Sequence, residues 1–330
     1  MSHPGGDLNC RLSRLREGRA CQRQDPSVPL CAPAMRLRSA LMALDEHWFT
    51  EACEECGSAF SLRAKAKLHD EQTPYQRIEI YATEKFGNLM VIDGFVMLTD
   101  RDNFVYHEMM AHPALFCHQR PRKVVIIGGG DCGTLREVLR HPEVEEAWQV
   151  EIDERVTRLA ERYFPELCEA NDDARAHFFF GDGIQWMKDA DPASIDVVIV
   201  DSTDPIGPAE GLFSEAFFRD CHRVLRPGGL VVQQSESPLF HMRILKPMHK
   251  AMRNAGFATT RTLHYFQCSY PSGWWSSTMA RKDGDLETFR EDDVANRPFA
   301  TRYYNAEIHR AAFAAPEFFR KELEEYLGEG

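Results

Sequence analysis

Four carboxylates follow four successive apolar segments of the chain. Asp131 follows "KVVIIGGG", Glu151 ends "EEAWQVE", Asp182 follows "AHFFFG" and Asp201 ends "IDVVIVD". The helical patterns "TLREVLRH" and "ERVTRLAERYF" separate the first three segments, "SEAFFRDCHRVL" follows the fourth, and "FFRKELEEYL" lies near the C-terminus. Alternating strands and helices predict a parallel sheet. Because ligands bind at the carboxyl ends of the strands in open parallel sheets, the four acids predict a ligand site at that edge.

The first of these strands leads into a glycine turn. Gly128, Gly130 and Gly133 fit the pattern GxGxxG between a strand and the predicted helix "TLREVLRH". Glu151 ends the next strand, where an acid commonly accepts ribose hydroxyl groups. Both an NAD site and an S-adenosyl site have these features, so the turn alone leaves the choice open.

Two further acids favour the S-adenosyl site. Asp182 precedes Gly183 after the third strand, where a carboxylate can accept a hydrogen bond from an adenine amino group. Asp131 would lie beside the pyrophosphate of a dinucleotide, and like charges in a partly dry cleft repel strongly. A tail that carries only an ammonium, as in decarboxylated S-adenosylmethionine, would suit Asp131. The alternative is that Asp131 only caps the following helix.

The fourth strand leads into "DSTDPIGPAEGLF", which adds Asp204 to Asp201. Such clusters also form ordinary turns and helix caps. Placed next to Asp131, however, the two carboxylates would make a strongly acidic pocket that suits a dication. The prolines and glycines of this loop would allow it to close as a lid.

The elements around these residues predict a doubly wound, Rossmann-like α/β sheet of the methyltransferase type over residues 119–330, with "FATTRTLHYF" and "WWSSTMARK" as edge strands. A small antiparallel β-domain is predicted before it, over residues 43–118, from period-two segments with hairpin turns at Gly87-Asn88 and Asp93-Gly94. The helical segment "NFVYHEMMAHPALF" closes that domain. Residues 1–42 read as a poorly ordered arm.

Charge and hydropathy exclude several classes of protein. The 330 residues include 39 Lys and Arg against 51 Asp and Glu, a net charge of −12, which disfavours a nucleic-acid partner. No apolar run is long enough to predict a membrane span. A signal-peptide pattern is also missing, so we expect a cytoplasmic protein with reduced cysteines.

Two segments could suggest a metal site. Cys53 and Cys56 form a CxxC pair, but no second ligand pair follows at a suitable spacing. His107 and His112 lie five apart in "HEMMAH", whereas zinc proteases need histidines four apart on one helix face. The sequence therefore predicts no metal site.

Several motifs together resemble those of the spermidine synthases, the polyamine aminopropyltransferases. The resemblance rests on "GGGDCGTLREVLRH", "VEID", "GDG" and "DSTDPIGPAEGLF", flanked by "TPYQ", "LTDRDNFVYHEMMAH" and "YPSG", over roughly residues 45–310. It implies a β-domain before a Rossmann-like domain, and a homodimer or homotetramer. It also implies aminopropyl transfer from decarboxylated S-adenosylmethionine, a co-substrate and not a permanently bound cofactor. The most common acceptor would be putrescine, giving spermidine and 5′-methylthioadenosine.

The resemblance implies a role for each matched residue. Asp201 would be the proton acceptor. The adenosyl group would be bound by Gln76, Gly128, Gly130, Glu151, Asp182, Gly183, Pro208 and Leu212. The aminopropyl group and the amine would be bound by Tyr106, His107, Asp131, Ser202, Thr203, Asp204 and Tyr270.

The sequence departs from the family pattern at a few positions, which bear on the acceptor. Cys132 replaces a common glycine, Asn103 replaces a common glutamate, and Trp274 and Trp275 stand where smaller residues are frequent. Cadaverine, agmatine and spermidine therefore remain alternative acceptors. An S-adenosylmethionine-dependent methyltransferase and a catalytically silent binding protein remain alternative functions.

Overall fold

The structure is a computed structural model that describes residues 44–205 and 207–328. The predicted N-terminal arm lies outside these residues. Among the helices of the described residues, none is long and apolar enough to cross a membrane.

The first described segment forms an antiparallel sheet of five strands in chain order. These strands are β1 (Trp48–Cys53), β2 (Ser58–Gln72), β3 (Arg77–Thr83), β4 (Asn88–Ile92) and β5 (Phe95–Thr99). Both predicted hairpin turns are confirmed, between β3 and β4 and between β4 and β5. Gly87 has φ +71° in the first turn, and a Cβ there would lie 2.3 Å from Asp100 Oδ2, so only glycine fits.

A second sheet of seven strands follows in the described part of the chain. Its strands are β6 (Lys123–Gly128), β7 (Glu146–Glu151), β8 (Ala176–Phe180), β9 (Ile195–Asp201), β10 (Leu225–Gln234), β11 (Thr259–Phe266) and β12 (Trp274–Arg281). The order is β11-β12-β10-β9-β6-β7-β8. The strands β6 to β10 are parallel, as predicted, while β12 runs antiparallel to its two neighbours.

One expectation about this sheet is wrong. The two C-terminal segments were both expected at the sheet edge, but only β11 lies there. β12 pairs with β11 on one side and with β10 on the other, for example Thr278 with both Thr262 and Gln233. Its side chains are buried almost throughout, as an inserted strand requires.

Helices cover the faces of the second sheet. They are α1 (Asn103–Cys117), α2 (Gly133–Leu139), α3 (Glu154–Tyr163), α4 (Gly183–Asp189), α5 (Glu215–Val224), α6 (Met242–Asn254), α7 (Glu291–Asn296), α8 (Ala306–Ala312) and α9 (Glu317–Gly328). Short 3₁₀ helices span Gly207–Phe213 and Pro271–Gly273. The sequence patterns predicted α1, α2, α3, α5 and α9.

Helix α1 is buried along nearly its whole length and belongs to the same apolar core as strands of both sheets. It packs against α2 and against β9 and β10, the elements that follow it in the chain. The division of the chain at residue 118 stays a prediction, because a shared core gives the two sheets no clear boundary.

A buried carboxylate of α1 holds the C-terminal segment in place. Glu108 is 1% exposed and accepts backbone N–H groups from Arg302, Tyr303 and Tyr304 at 2.8, 2.9 and 2.7 Å. We expect Glu108→Leu to lower the free energy of unfolding by about 3 kcal/mol or more, because each buried donor left unpaired costs about 1–3 kcal/mol.

Denaturant unfolding checks this expectation. The control is Glu154→Gln, which removes an exposed ion pair with Arg158 at 2.9 Å and should change stability by less than about 1 kcal/mol. Equal losses in the two variants would contradict the role given to Glu108.

Candidate active site

A cleft lies between the two sheets, at the carboxyl ends of β6, β7 and β9. The second sheet supplies its polar wall, and Met90, Ile92, Phe95 and Met97 of β4 and β5 supply an apolar wall that the sequence did not predict. The structure brings together in this cleft almost all residues of the predicted site: Gln76, Tyr106, Gly128, Gly130, Asp131, Glu151, Asp182, Gly183, Asp201, Ser202, Thr203, Asp204, Leu212 and Tyr270.

Two predicted residues are not in that set. His107 does not line the cleft, and instead lies behind Asp131. Pro208 falls in the first 3₁₀ helix, and its side chain lies outside the described part of the structure.

Glu151, at the end of β7, forms one end of the cleft. Its Oε1 accepts the backbone N–H of Asp153 at 2.9 Å, and burial raises the pKa of Glu151 to about 7. A Cβ at Gly130 would lie 2.8 Å from Glu151 Oε2, so the glycine gives the carboxylate its space. Asp153, which the sequence did not predict, accepts hydrogen bonds from Gln76 Nε2 at 3.2 Å and Thr73 Oγ1 at 2.7 Å. It thereby orients Gln76 beside Glu151.

Near Glu151, the cleft has an exposed carboxylate at its rim and an apolar floor. Asp182 caps α4 by accepting the backbone N–H of Ile184 at 2.8 Å, and the carboxylate stays exposed at the rim. A Cβ at Gly183 would lie 2.6 Å from Ile127, so the chain packs closely on the sheet there. Ile127, Ile184 and Leu212 line an apolar slot at this end of the cleft.

Asp131 both caps a helix and lines the cleft, so the two interpretations drawn from the sequence are compatible. Its Oδ1 accepts the backbone N–H of Gly133 at 2.7 Å and lies 3.1 Å from His107 Nε2. Burial opposes a charge on His107, but the negative charge of Asp131 raises the pKa of His107 above its ordinary value. His107 therefore positions Asp131 from behind and does not enter the cleft.

Cys132 has φ 68°, in the left-handed region that favours glycine. The strain expected for a cysteine at this position is therefore present, at a cost of roughly 1–2 kcal/mol. The turn keeps its geometry because Cys132 N donates to Gly129 O at 2.9 Å and the side chain is fully buried.

Asp201 lies at the centre of the cleft, where two hydroxyl groups hold it. Tyr106 donates to its Oδ1 and Thr134 to its Oδ2, both at 2.6 Å. Burial raises the pKa of Asp201, the nearby charge of Asp131 raises it further, and His107 opposes the shift. Thr134, on α2, was not predicted from the sequence.

A second chamber continues from the cleft past Tyr106, and it is also acidic. Glu51 of β1 and Asp204 line it, and Glu236 lies fully buried behind Asp204. Burial raises the pKa of Glu51 to about 7 and that of Asp204 to about 8, the second also because Glu236 is negatively charged. Neither glutamate was predicted, although Glu236 follows the end of β10, where the strand-end pattern applies to a fifth strand.

Aromatic rings close this second chamber. Tyr270 donates to Met97 O at 2.6 Å, and its ring meets Trp275 at 4.6 Å between centroids. Trp274 points away from the chamber, so only one of the two tryptophans shapes it. Asn103 donates to a backbone carbonyl of β5 at 2.7 Å and does not line the cleft.

The chain matches two family models. The spermine/spermidine synthase domain covers residues 103–291, and the spermidine synthase tetramerisation domain covers residues 47–100. The predicted proton acceptor Asp201 falls in the first of these ranges, and Gln76 falls in the second.

Curated relatives and solved structures agree with the family models. A polyamine aminopropyltransferase of Thioalkalivibrio sulfidiphilus is 66% identical over 86% of this chain and 99% of its own length. That of Methylococcus capsulatus is 67% identical over the same shares of the two chains. A spermidine synthase solved with the transition-state analogue AdoDATO has a TM-score of 0.82 at 35% identity, covering 88% of this chain and 99% of that one. The Thermotoga maritima spermidine synthase has a TM-score of 0.81 at 35% identity, covering 88% and 98%.

Proposed function

This chain belongs to the spermine/spermidine synthase family and is a polyamine aminopropyltransferase, and we propose that its acceptor is putrescine. The products would be spermidine and 5′-methylthioadenosine. The observation that carries this proposal is the pair of acidic positions in one continuous cleft. Asp201 lies in the first chamber, and Asp204 and Glu51 line the second.

Two separated acidic positions suit a diamine that carries a positive charge at each end. One ammonium would lie between Asp204 and Glu51 while the other nitrogen lies at Asp201. Tyr270 and Trp275 close the second chamber, which favours a short diamine over a longer triamine such as spermidine.

The acid at the glycine turn supports decarboxylated S-adenosylmethionine as the co-substrate. The aminopropyl tail ends in an ammonium, which Asp131 would attract. Intact S-adenosylmethionine adds a carboxylate to that tail, and like charges in this partly buried place would repel. The transition-state analogue bound to the related spermidine synthase is consistent with this choice.

The remaining cleft residues would place the adenosyl group. Glu151 would accept the ribose hydroxyls, beside Gln76. Asp182 and Gly183 would bind the adenine amino end, with the ring in the apolar slot beside Leu212. Pro208 would cover the ring, as the family pattern implies.

In the reaction, the amine nitrogen attacks the propyl carbon next to the sulfonium. A carbon–nitrogen bond forms, the carbon–sulfur bond breaks, and its electron pair stays on sulfur, so the leaving thioether is neutral and needs no acid. The nitrogen must first lose a proton, which Asp201 would accept. Tyr106 and Thr134 hold its oxygens towards the cleft.

The proton transfer is helped by the surroundings. A free amine has a pKa near that of lysine, about 10.4, and a free aspartate about 3.9. Burial raises the pKa of Asp201 and would lower that of the bound ammonium. The difference between the two pKa values therefore becomes smaller. Positioning of the two reactants would supply much of the remaining rate enhancement.

We also propose that the chain assembles into a homo-oligomer through its first sheet. Residues 47–100 match the tetramerisation domain of spermidine synthases, which supports a homotetramer. Light scattering of the purified protein would distinguish four copies from two.

Mass spectrometry of 5′-methylthioadenosine release tests the proposed function. The enzyme is given decarboxylated S-adenosylmethionine with putrescine, cadaverine, agmatine or spermidine in turn. Fastest release with putrescine, together with spermidine as a product, is expected. Fastest release with another amine would overturn the acceptor, and methylated amines formed from intact S-adenosylmethionine would overturn the co-substrate.

The affinity for the diamine should rise with pH. The raised pKa of Asp204, about 8, means that it is protonated and neutral below that pH, and only the ionised form attracts an ammonium. We therefore expect the association constant of putrescine to increase as the pH rises towards 8. Asp204→Asn should flatten the part of this rise above pH 7, because Glu51, with a pKa of about 7, still ionises below it. Calorimetry with 5′-methylthioadenosine present measures it without turnover.

A control for this experiment is Asp93→Asn. Asp93 lines the adenosyl part of the cleft and its Oδ1 accepts the backbone N–H of Arg77 at 2.8 Å, a contact that asparagine can keep. This variant should retain the wild-type pH dependence. The same flattening in both variants would show that Asp204 is not the titrating group.

A further inference from the structure

The hairpin between β1 and β2 carries Cys53 and Cys56, for which the sequence offered no further metal ligand. In the structure a third ligand meets them. His241 lies 185 positions from Cys56 in the chain, yet its Nε2 is 4.0 Å from Cys56 Sγ. One donor atom of each of the three residues lies within 4.8 Å of the others.

The hairpin holds its cysteines as metal-binding turns do. The backbone N–H of Cys56 donates to Cys53 Sγ at 3.2 Å, which holds the two cysteines together in one tight turn. Gly57 follows with φ +60°, which lets the chain turn back into β2 directly after the second cysteine. Both cysteines are free thiols in the structure.

The surroundings of His241 also suit a metal ligand. His241 is 8% exposed, and its Nδ1 lies 3.1 Å from Glu236 Oε2. Both atoms are buried, and neither has a hydrogen-bond partner elsewhere in the described residues. A proton on Nδ1, facing the carboxylate, leaves the lone pair of Nε2 on the side of the cysteines. Metal-bound histidines commonly have such a carboxylate behind them.

From these contacts we propose that Cys53, Cys56 and His241 bind a Zn²⁺ ion. Two thiolates and one imidazole are the ligands that zinc prefers, and a set of three protein ligands leaves one position for water or another ligand. Cys53 and His241 also line the second chamber of the cleft, so the ion would lie beside that chamber. The proposal does not depend on which amine is the acceptor.

The ion would join two parts of the fold. It would link the β1–β2 hairpin to the start of α6, where the ion pair between Glu55 and Arg243 already connects the same two elements. Loss of the ion is therefore expected to loosen the hairpin that carries Glu51.

Metal content tests the proposal directly. The untagged full-length protein is reduced, dialysed against micromolar Zn²⁺ and analysed by mass spectrometry for metals. The wild type is expected to bind one zinc per chain more than Cys56→Ser and His241→Ala. The control is Cys268→Ser, which removes an exposed thiol that is not one of the three ligands and should keep the wild-type content.

The absorption spectrum of the cobalt-substituted protein identifies the ligands. Replacement of zinc by Co²⁺ should give a thiolate-to-cobalt charge-transfer band and the visible bands of a tetrahedral site in the wild type and in Cys268→Ser. Both sets of bands should be lost in Cys56→Ser and His241→Ala. Cys10, Cys21 and Cys31 are present in every variant, so the difference isolates the hairpin.

Two results would overturn the proposal. One is equal zinc content in the wild type and in Cys56→Ser, and the other is a Cys53–Cys56 disulfide that persists under the reducing conditions. Binding of 5′-methylthioadenosine shows that each variant is folded. For a cysteine variant that fails this check, Cys53→Ala replaces it in the comparison.

Discussion

Asp201→Asn is expected to lower kcat by about 10²–10⁴-fold, the range that a positioned proton acceptor contributes. Asparagine has the same shape as aspartate. Its oxygen can still accept the hydrogen bond that Tyr106 donates to Asp201 at 2.6 Å in the wild type. The amide, however, cannot take a proton from the attacking amine. The affinity for 5′-methylthioadenosine should stay close to that of the wild type, because the adenosyl group would lie at Glu151.

Single-turnover kinetics with saturating substrates measure this loss without the step of product release. Residual turnover in the variant should rise with pH up to about 10, because more of the amine is then already neutral. A matched control is Thr134→Val, which keeps the carboxylate but removes one of its donors at 2.6 Å, and should lose much less activity. Near-normal turnover in Asp201→Asn would rule out the assigned role.

Asp131→Asn should weaken the binding of decarboxylated S-adenosylmethionine by about 10–100-fold, since a hydrogen bond to a charged group is worth about 1.5–3 kcal/mol. The oxygen of asparagine can still accept the backbone N–H of Gly133, so the helix cap is kept. The binding of 5′-methylthioadenosine should not change, because this ligand lacks the aminopropyl group.

Calorimetry with decarboxylated S-adenosylmethionine and with 5′-methylthioadenosine measures how much Asp131→Asn weakens the binding of each ligand. Asp182→Asn is the comparison, because a residue at the adenine end should affect both ligands by the same factor. If Asp131→Asn also weakened both ligands equally, Asp131 would act only through the glycine turn. A relaxed preference against intact S-adenosylmethionine would support its direct role further.

The regular part of the fold could be predicted from sequence because its signals are local. The strands β6 and β9 are continuous apolar runs between turn residues, and buried parallel strands take this form. Helices α4, α7 and α8 span only six or seven residues. Helix α2 is as short, but it could be predicted because it directly follows the glycine turn. Helix α6 contains Pro247, which in a sequence reads as a break, whereas α1 could be predicted despite Pro113 because its apolar pattern is longer.

The residues of the candidate site also divide into those that local sequence signals reveal and those that only the folded structure brings together. The strand-end acids could be found because each follows its own strand, and they meet by the topology of the sheet. Glu51 and His241 could not be found, because each reaches the site only through the packing of distant segments. Thr134 directly follows the predicted glycine turn, but no local pattern marks it as a donor to Asp201. His241 illustrates this most clearly, since it directly precedes α6 while its neighbour Cys56 lies 185 positions away in the turn between β1 and β2.

The strands that form the apolar wall of the cleft pack on two clusters. Leu89 and Val91 share a core with Val105 of α1, and the wall residues Met90 and Ile92 share another with α3. We therefore expect substitutions in these clusters to change the width of the cleft without touching a ligand. Because Phe95 and Met97 of the wall also line the second chamber, the choice of acceptor is expected to respond to residues well beyond those around the amine, while Asp201 and its neighbours stay the same.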